Sequence, residues 1–204
     1  MNALIDKFPI TVKINGAEVP INTDFRISIK FTDLMMEENL SEDETITEAL
    51  RLYFSKRLRN KDEAVTQMLW FYQGGKELAK TISKSGEPIY SFNHDYDYIF
   101  AAFLDQYRID LEEIKYLHWW KFRAMFTSLK DDSMIEKIMS YRAIDLRDVD
   151  KDQQKYYKKL KDIHKLPKRI SDEQKKLNNE LVQALMGDGD VSKILKRSDV
   201  QLKK

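Results

Sequence analysis

The stretch "YLHWWKFRAMF", residues 116–126, holds two adjacent tryptophans, two phenylalanines, a histidine and two cations. Three readings compete for it: a stacking platform for nucleic acid, the wall of a catalytic pocket, or the middle of a buried helix. Wound as one helix over 111–129, it spreads Ile114, Leu117, Trp119, Phe122, Met125, Phe126 and Leu129 over more than half the circumference. Trp120 points elsewhere, toward Arg123 and Thr127. A helix apolar over so wide an arc is the central element of a bundle, where each buried ring contributes about 2–3 kcal/mol. A single-strand stacking surface uses exposed rings in a basic groove. Here Asp105, Asp110, Glu112 and Glu113 make the surroundings acidic. The core reading is the expectation.

The neighbouring segments supply helices to pack against it. "DYDYIFAAFLDQY" opens at Asp95 and carries Ile99, Phe100, Phe103, Leu104 and Tyr107 at helical spacing; "RID" breaks it, and Asp110 caps the central helix. A further helix spans 133–141. Upstream, "SEDETITEALRLYFSKRL" (41–58) begins with a Ser41/Glu44 capping box, an acidic first turn and a basic end. Asp62 opens the next helix and Gly74-Gly75 ends it. "DFRISIKFTDLMME" (24–37) reads as strand or helix, and Asp24 as an N-cap favours the helix. "ITVKINGAEVPI" (10–21) is the one clear β signal: Val12 and Ile14 alternate with polar residues, and Asn15-Gly16 supplies a tight hairpin turn. An isolated hairpin is marginal, so it is expected to pack on helices.

The C-terminal third differs in charge. Residues 149–204 hold fifteen Lys/Arg against nine Asp/Glu, whereas 1–148 hold twenty against twenty-five. A charged helix spans about 151–165 and stops at Pro167. "SDEQKKLNNELVQALMG" follows, with a Ser171 cap, a Leu177, Leu181, Leu185 stripe and Gly187 as terminator. The expected fold is mainly α: a multi-helix bundle with a small N-terminal β-hairpin. The expected organisation is a helical core domain over 1–148, a basic helical extension over 149–187 and a flexible tail over 188–204.

Composition narrows the function classes. With 42% hydrophobic residues the 204-residue chain can bury a core; 34% charged residues with 6 Gly and 4 Pro favour helices. The absence of cysteine excludes disulfides, thiolate metal sites and a Cys nucleophile. "MNALIDKFPITVKING" has no signal-peptide pattern, and no window approaches a membrane span, so no membrane partner is expected. His94, His118 and His164 show no zinc-binding spacing. "NHDYD" reads better as a helix start than as an acid–base or metal cluster. "GDGD" (187–190) lacks a calcium loop, "YQGGKE" (72–77) is no phosphate loop, and no GxSxG occurs. No catalytic, metal or cofactor-binding residue is assigned, no cofactor is expected, and a non-enzymatic, non-nucleic-acid role is the expectation.

Two segments remain as contact candidates. Arg142, Asp145, Arg147 and Asp148 read as solvated surface pairs worth about 0–1 kcal/mol, with a subunit contact as the alternative. "KYYKKLKDIHKLPKRISDEQKKL" (155–177) has a thin apolar face among lysines. It can dock on the body, bind an acidic or helical partner, or contact nucleic acid, although its acids weaken the last option.

An N-terminal hairpin, then "DYDYIFAAFLDQYRIDL", "LHWWKFRAMF", "IMSYRAIDL" and a lysine-rich "YYKKLK…LP" in that order resemble the tail assembly chaperones of long, non-contractile tails in phages and prophages of Gram-positive bacteria. The resemblance covers roughly 1–170. It implies a non-enzymatic protein of the host bacterial cytoplasm that binds the tape measure protein, keeps it soluble until tail-tube subunits polymerise around it, and is absent from the mature virion. Implied partners are the tape measure protein, further copies of the chain and, as a candidate, the tail-tube protein. The contact residues expected on this reading are Tyr141, Arg142, Arg147, Tyr156, Tyr157, Leu160, Leu177 and Leu181. The alternative is a structural tail or connector component of the virion.

Overall fold

A computed structural model describes residues 4–37, 40–75 and 88–167. In chain order these form strands β1 (Thr11–Ile14) and β2 (Ala17–Pro20), then helices α1 (Phe25–Leu34), α2 (Glu42–Tyr53), α3 (Lys61–Tyr72), α4 (Tyr96–Tyr107), α5 (Trp119–Phe126) and α6 (Met134–Ala143). A 3-10 turn at Leu146–Asp148 leads into α7 (Lys151–Ile163). The architecture is mainly α with one antiparallel hairpin, as the sequence pattern predicts.

Local chemistry sets most boundaries. Asn15 (φ 52°) and Gly16 (φ 73°) close the hairpin, pairing Val12 with Val19 and Ile14 with Ala17. Val12 and Ile14 are buried, and the turn is tied to α3: Asn15 N donates to Glu63 Oε2 (2.8 Å), and Asn60 Nδ2 to Asn15 Oδ1 (2.9 Å). The hairpin therefore does pack on a helix. The 24–37 segment is helical, with Asp24 accepting from Arg26 N (3.0 Å). The Ser41/Glu44 capping box is present in both directions. α2 stops at Tyr53, short of 58, because buried Phe54 turns extended. α3 is capped by Asn60, two residues before the Asp62 start expected. Arg108 at φ 56° ends α4.

The continuous helix expected over 111–129 does not form. Asp110 caps only a turn, accepting from Glu112 N (2.8 Å) and Glu113 N (3.1 Å). Backbone pairing then claims the next residues: Phe25 N donates to Leu117 O (2.9 Å) and Trp119 N to Thr23 O (2.8 Å), an antiparallel bridge between Asp24 and His118. The helix restarts at Trp119 because His118 supplies the N-cap, its Nδ1 accepting from Trp120 N (3.0 Å). That acceptor role leaves the ring proton on Nε2, which donates to Pro9 O (3.0 Å).

α5 is nonetheless the centre of the core. Phe122 is fully buried and stacks on Phe25 (4.8 Å), Phe103 (5.0 Å), Trp119 (5.8 Å) and Phe126 (6.1 Å), which draws α1, α4 and α5 together. Trp120, expected to point away, is buried among Trp70, Phe71 and Phe8. Both indoles cap the preceding helix. Trp119 Nε1 donates to Tyr72 O (2.8 Å) and Trp120 Nε1 to Phe71 O (2.7 Å), carbonyls in the last turn of α3. Arg123 Nη1 also reaches Tyr72 O (3.2 Å). The chain must leave α3 tightly here. Gly74 and Gly75 have φ of 80° and 74°, and a Cβ at Gly75 would lie 2.5 Å from the Trp120 ring.

α7 packs on α6, and the compact unit runs to Leu166. The helix expected over 171–187 and the tail over 188–204 lie outside the described residues.

Two outcomes follow. Gly75→Ala is expected to destabilise the fold by about 2 kcal/mol or more in urea unfolding, from left-handed strain plus the clash with Trp120. Burial holds the His118 imidazole below its ordinary pKa, against the pull of the Pro9 carbonyl. Its contribution to stability is thus complete above the ordinary value of about 6.5 and is lost as pH falls toward the lowered folded value. Stability of the wild type should drop as pH falls below about 6.5 for this reason, and His118→Asn, which keeps a cap acceptor, should flatten that slope.

Candidate partner-binding surface

Six of the predicted contact residues fall on α6, the 3-10 turn and α7, and the structure sorts them into two kinds. Arg142 is not a solvated charge. Its side chain is 6% exposed and grips Asp95, itself 1% exposed, through two parallel bonds: Nη1 to Oδ2 (2.6 Å) and Nη2 to Oδ1 (2.9 Å). Nη1 also donates to Ile89 O (3.0 Å), and Nε to His164 O at the end of α7. One guanidinium thus joins the residues before α4, the end of α6 and the end of α7. The sequence reading of Arg142 as a surface charge is corrected: its neighbour Asp145 is taken by Arg147, and Asp95 replaces it.

Asp95 also accepts from Ser91 N (2.9 Å). Burial opposes its ionisation, but the bonds from Arg142 and Ser91 and the Arg142 charge outweigh it, so its carboxyl sits below the usual carboxylate range. "NHDYD" is a helix start, as its sequence suggests. Asp95 turns inward while His94 and Asp97 stay exposed, so the three do not converge.

Arg147 lies on the surface. It pairs with Asp145 (2.6 Å), and that bond holds the Asp145 carboxyl down to about 2. Tyr141 is half-buried and stacks on His164 (5.7 Å). Lys161 Nζ donates to Ile144 O (2.9 Å), a second polar strap between α7 and the end of α6.

α7 itself has no buried residue. At 100° per residue, Tyr156, Tyr157, Leu160, Ile163 and His164 form a stripe about 120° wide. The stripe is divided. Tyr157, Leu160 and His164 are half-buried toward α6, whereas Tyr156 is 61% and Ile163 62% exposed. Tyr156 meets Tyr157 edge-on at 5.4 Å. Ile163 was not among the predicted contact residues, although its i+7 relation to Tyr156 marks it as the same face. Leu177 and Leu181 lie outside the described residues.

A cleft of about 450 Å3 opens above α5, with Tyr90, Trp119, Phe122 and Phe126 as walls and Arg123 and Glu136 at its polar edge. Burial, with Asp131 nearby, raises the Glu136 carboxyl. Among the described residues no cluster of His, Asp or Glu is placed to hold a metal ion, and no helix is long and apolar enough to cross a membrane.

Residues 4–166 match the family model described as bacteriophage Gp15 protein. The chain belongs to that family. The matched stretch runs through α7 to Leu166, where the compact unit ends, so the divided stripe lies within the family region. The phage origin implied by the sequence resemblance stands on this match. No curated protein and no solved structure matches the chain.

Removing one member of the Asp95–Arg142 pair leaves a buried charge alone. Arg142→Met is expected to lower unfolding free energy by about 3–5 kcal/mol, and the double variant Asp95→Asn/Arg142→Met to recover a large part of that loss. The pair's stabilisation is complete above the ordinary aspartate value of about 3.9 and is lost as pH falls through the lowered folded value. Asp95→Asn should therefore remove part of the wild type's acid sensitivity in urea titrations.

Proposed function

We propose that the protein is a tail assembly chaperone that binds and solubilises the tape measure protein during phage tail morphogenesis, without enzymatic chemistry. The observation that carries this reading is the exposed half of the α7 stripe in a chain of a bacteriophage family. Tyr156 and Ile163 stand two helical turns apart, among lysines, on a helix already anchored by Arg142 and Lys161. A face of that kind suits an amphipathic client helix, whose apolar side it covers while the lysines meet water or client acids.

The work requires a contact that lets go. Two half-exposed side chains give a modest single-site affinity, and several copies along one long client raise the total by avidity. Tail-tube subunits polymerising on the client then displace the chaperone in the host cytoplasm, and the finished virion lacks it. Self-association and a tail-tube contact belong to the same reading, while nucleic acid and membrane do not.

Co-expression with the tape measure protein tests it. The wild-type chain should keep the client soluble and co-purify with it, and Tyr156→Glu/Ile163→Glu should cut the co-purified client by about tenfold while leaving the thermal midpoint near wild type. Mass spectrometry of purified particles separates a chaperone from a structural tail component. A stoichiometric amount of this chain in finished tails defeats the chaperone reading.

A further inference from the structure

Helix α2 runs from an acidic first turn to a cationic segment that follows its last turn, where Arg51 is already paired with Glu48. Its first turn presents Glu42, Asp43 and Glu44 to solvent. At its other end Arg51, Lys56, Arg57 and Lys61 line a cleft of about 420 Å3 floored by Leu50 and Phe54. No carboxylate is among the described residues that line it. From Arg51 to Lys61 the chain holds five Lys/Arg and no Asp/Glu, against the acidic balance of 1–148 as a whole. Between the two ends, Ile46 and Leu50 are half-buried one turn apart.

We propose that this face is a self-complementary interface: two copies of the chain pack α2 against α2 in antiparallel fashion, each acidic first turn entering the other's cationic cleft. A two-fold contact requires a patch that matches itself after reversal. An acidic first turn, the half-buried Ile46 and Leu50, and a cationic cleft beyond the last turn of α2 meet that condition, and a uniformly charged face does not. At 12 residues α2 is about 18 Å long, so the charged ends of two antiparallel copies face each other while Ile46 and Leu50 meet in the middle. Other occupants fit less well. A free inorganic anion makes no use of the apolar floor. A nucleic-acid strand needs a cationic track with stacking rings, and the exposed acids of the first turn interrupt that track.

This contact gives a surface to the self-association of the proposed function and in that respect rests on it, but it is separate from the α7 stripe, so dimerisation and client binding fail separately. A monomeric chain that still holds its client ends this proposal and leaves client binding standing, and a dimer with no client affinity does the reverse.

Charge reversal with mixing decides it. By sedimentation velocity the full chain should be dimeric at low salt and dissociate as salt rises. Lys56→Glu/Arg57→Glu and Glu42→Lys/Asp43→Lys should each be monomeric, since both contacts become repulsive. Mixed in equal amounts they should form a heterodimer, since both contacts are then attractive. Far-UV circular dichroism checks that each is folded. If a reversed variant is not, the neutral pair Lys56→Gln/Arg57→Gln must still weaken the dimer at least several-fold. A wild-type monomer at low salt, a reversed variant that stays dimeric, or a mixture that stays monomeric overturns the proposal. So does a monomer that binds single-stranded DNA or inorganic phosphate through Lys56 and Arg57.

Discussion

Two indole N–H groups hold the end of one helix to the start of another, and most of the fold is arranged around that joint. The last carbonyls of α3 have no partner within their own helix. Trp119 and Trp120 supply donors to Tyr72 and Phe71, with Arg123 adding a third bond. Each indole does two things at once: it buries a large ring and donates to a carbonyl at the end of α3, beside the bonds that Gly74 N gives Phe71 O and Arg123 gives Tyr72 O. The joint also dictates its surroundings. With the rings so close to the backbone that leaves α3, Gly75 has no room for a side chain, and the positive φ values of Gly74 and Gly75 favour glycine at both positions. Once α5 is fixed in direction, Phe122 faces the meeting point of α1 and α4, and the core closes on it.

Local signals were legible where a boundary depends on residues near in sequence. Ser41 with Glu44 and Asn15-Gly16 each act on backbone a few positions away, and each reads correctly. The central helix was misread because an apolar arc keeps accumulating through a turn, an extended link and a short helix alike. Leu117 and His118 leave the helix to pair with Thr23–Phe25, a partner about ninety residues upstream that no periodicity can reveal. The breadth of the arc still told the truth about burial, since burial depends on which side chains are apolar, whatever backbone carries them. Arg142 shows the same limit in electrostatics. An arginine with Asp145 three residues on looks like a surface pair, and only the fold brings Asp95 to it.

The chain uses its apolar surface in two ways. α5 turns its four large rings inside, stacked on several elements. α7 is attached differently. It buries no residue and is fastened by polar bonds, from Arg142 to the carbonyl of His164 and from Lys161 to the carbonyl of Ile144. Polar fastening has a consequence that hydrophobic docking lacks: it fixes a helix without consuming its apolar stripe. Tyr141 and Tyr157 take up the inner part, and Tyr156 and Ile163 remain outside. A buried ion pair that stabilises little against a hydrophobic substitute thus gains a purpose here as the clamp that orients a helix whose outer face stays open. A core built from leucines at the same place would hold α7 as firmly, but it would have to draw the stripe inward to do so.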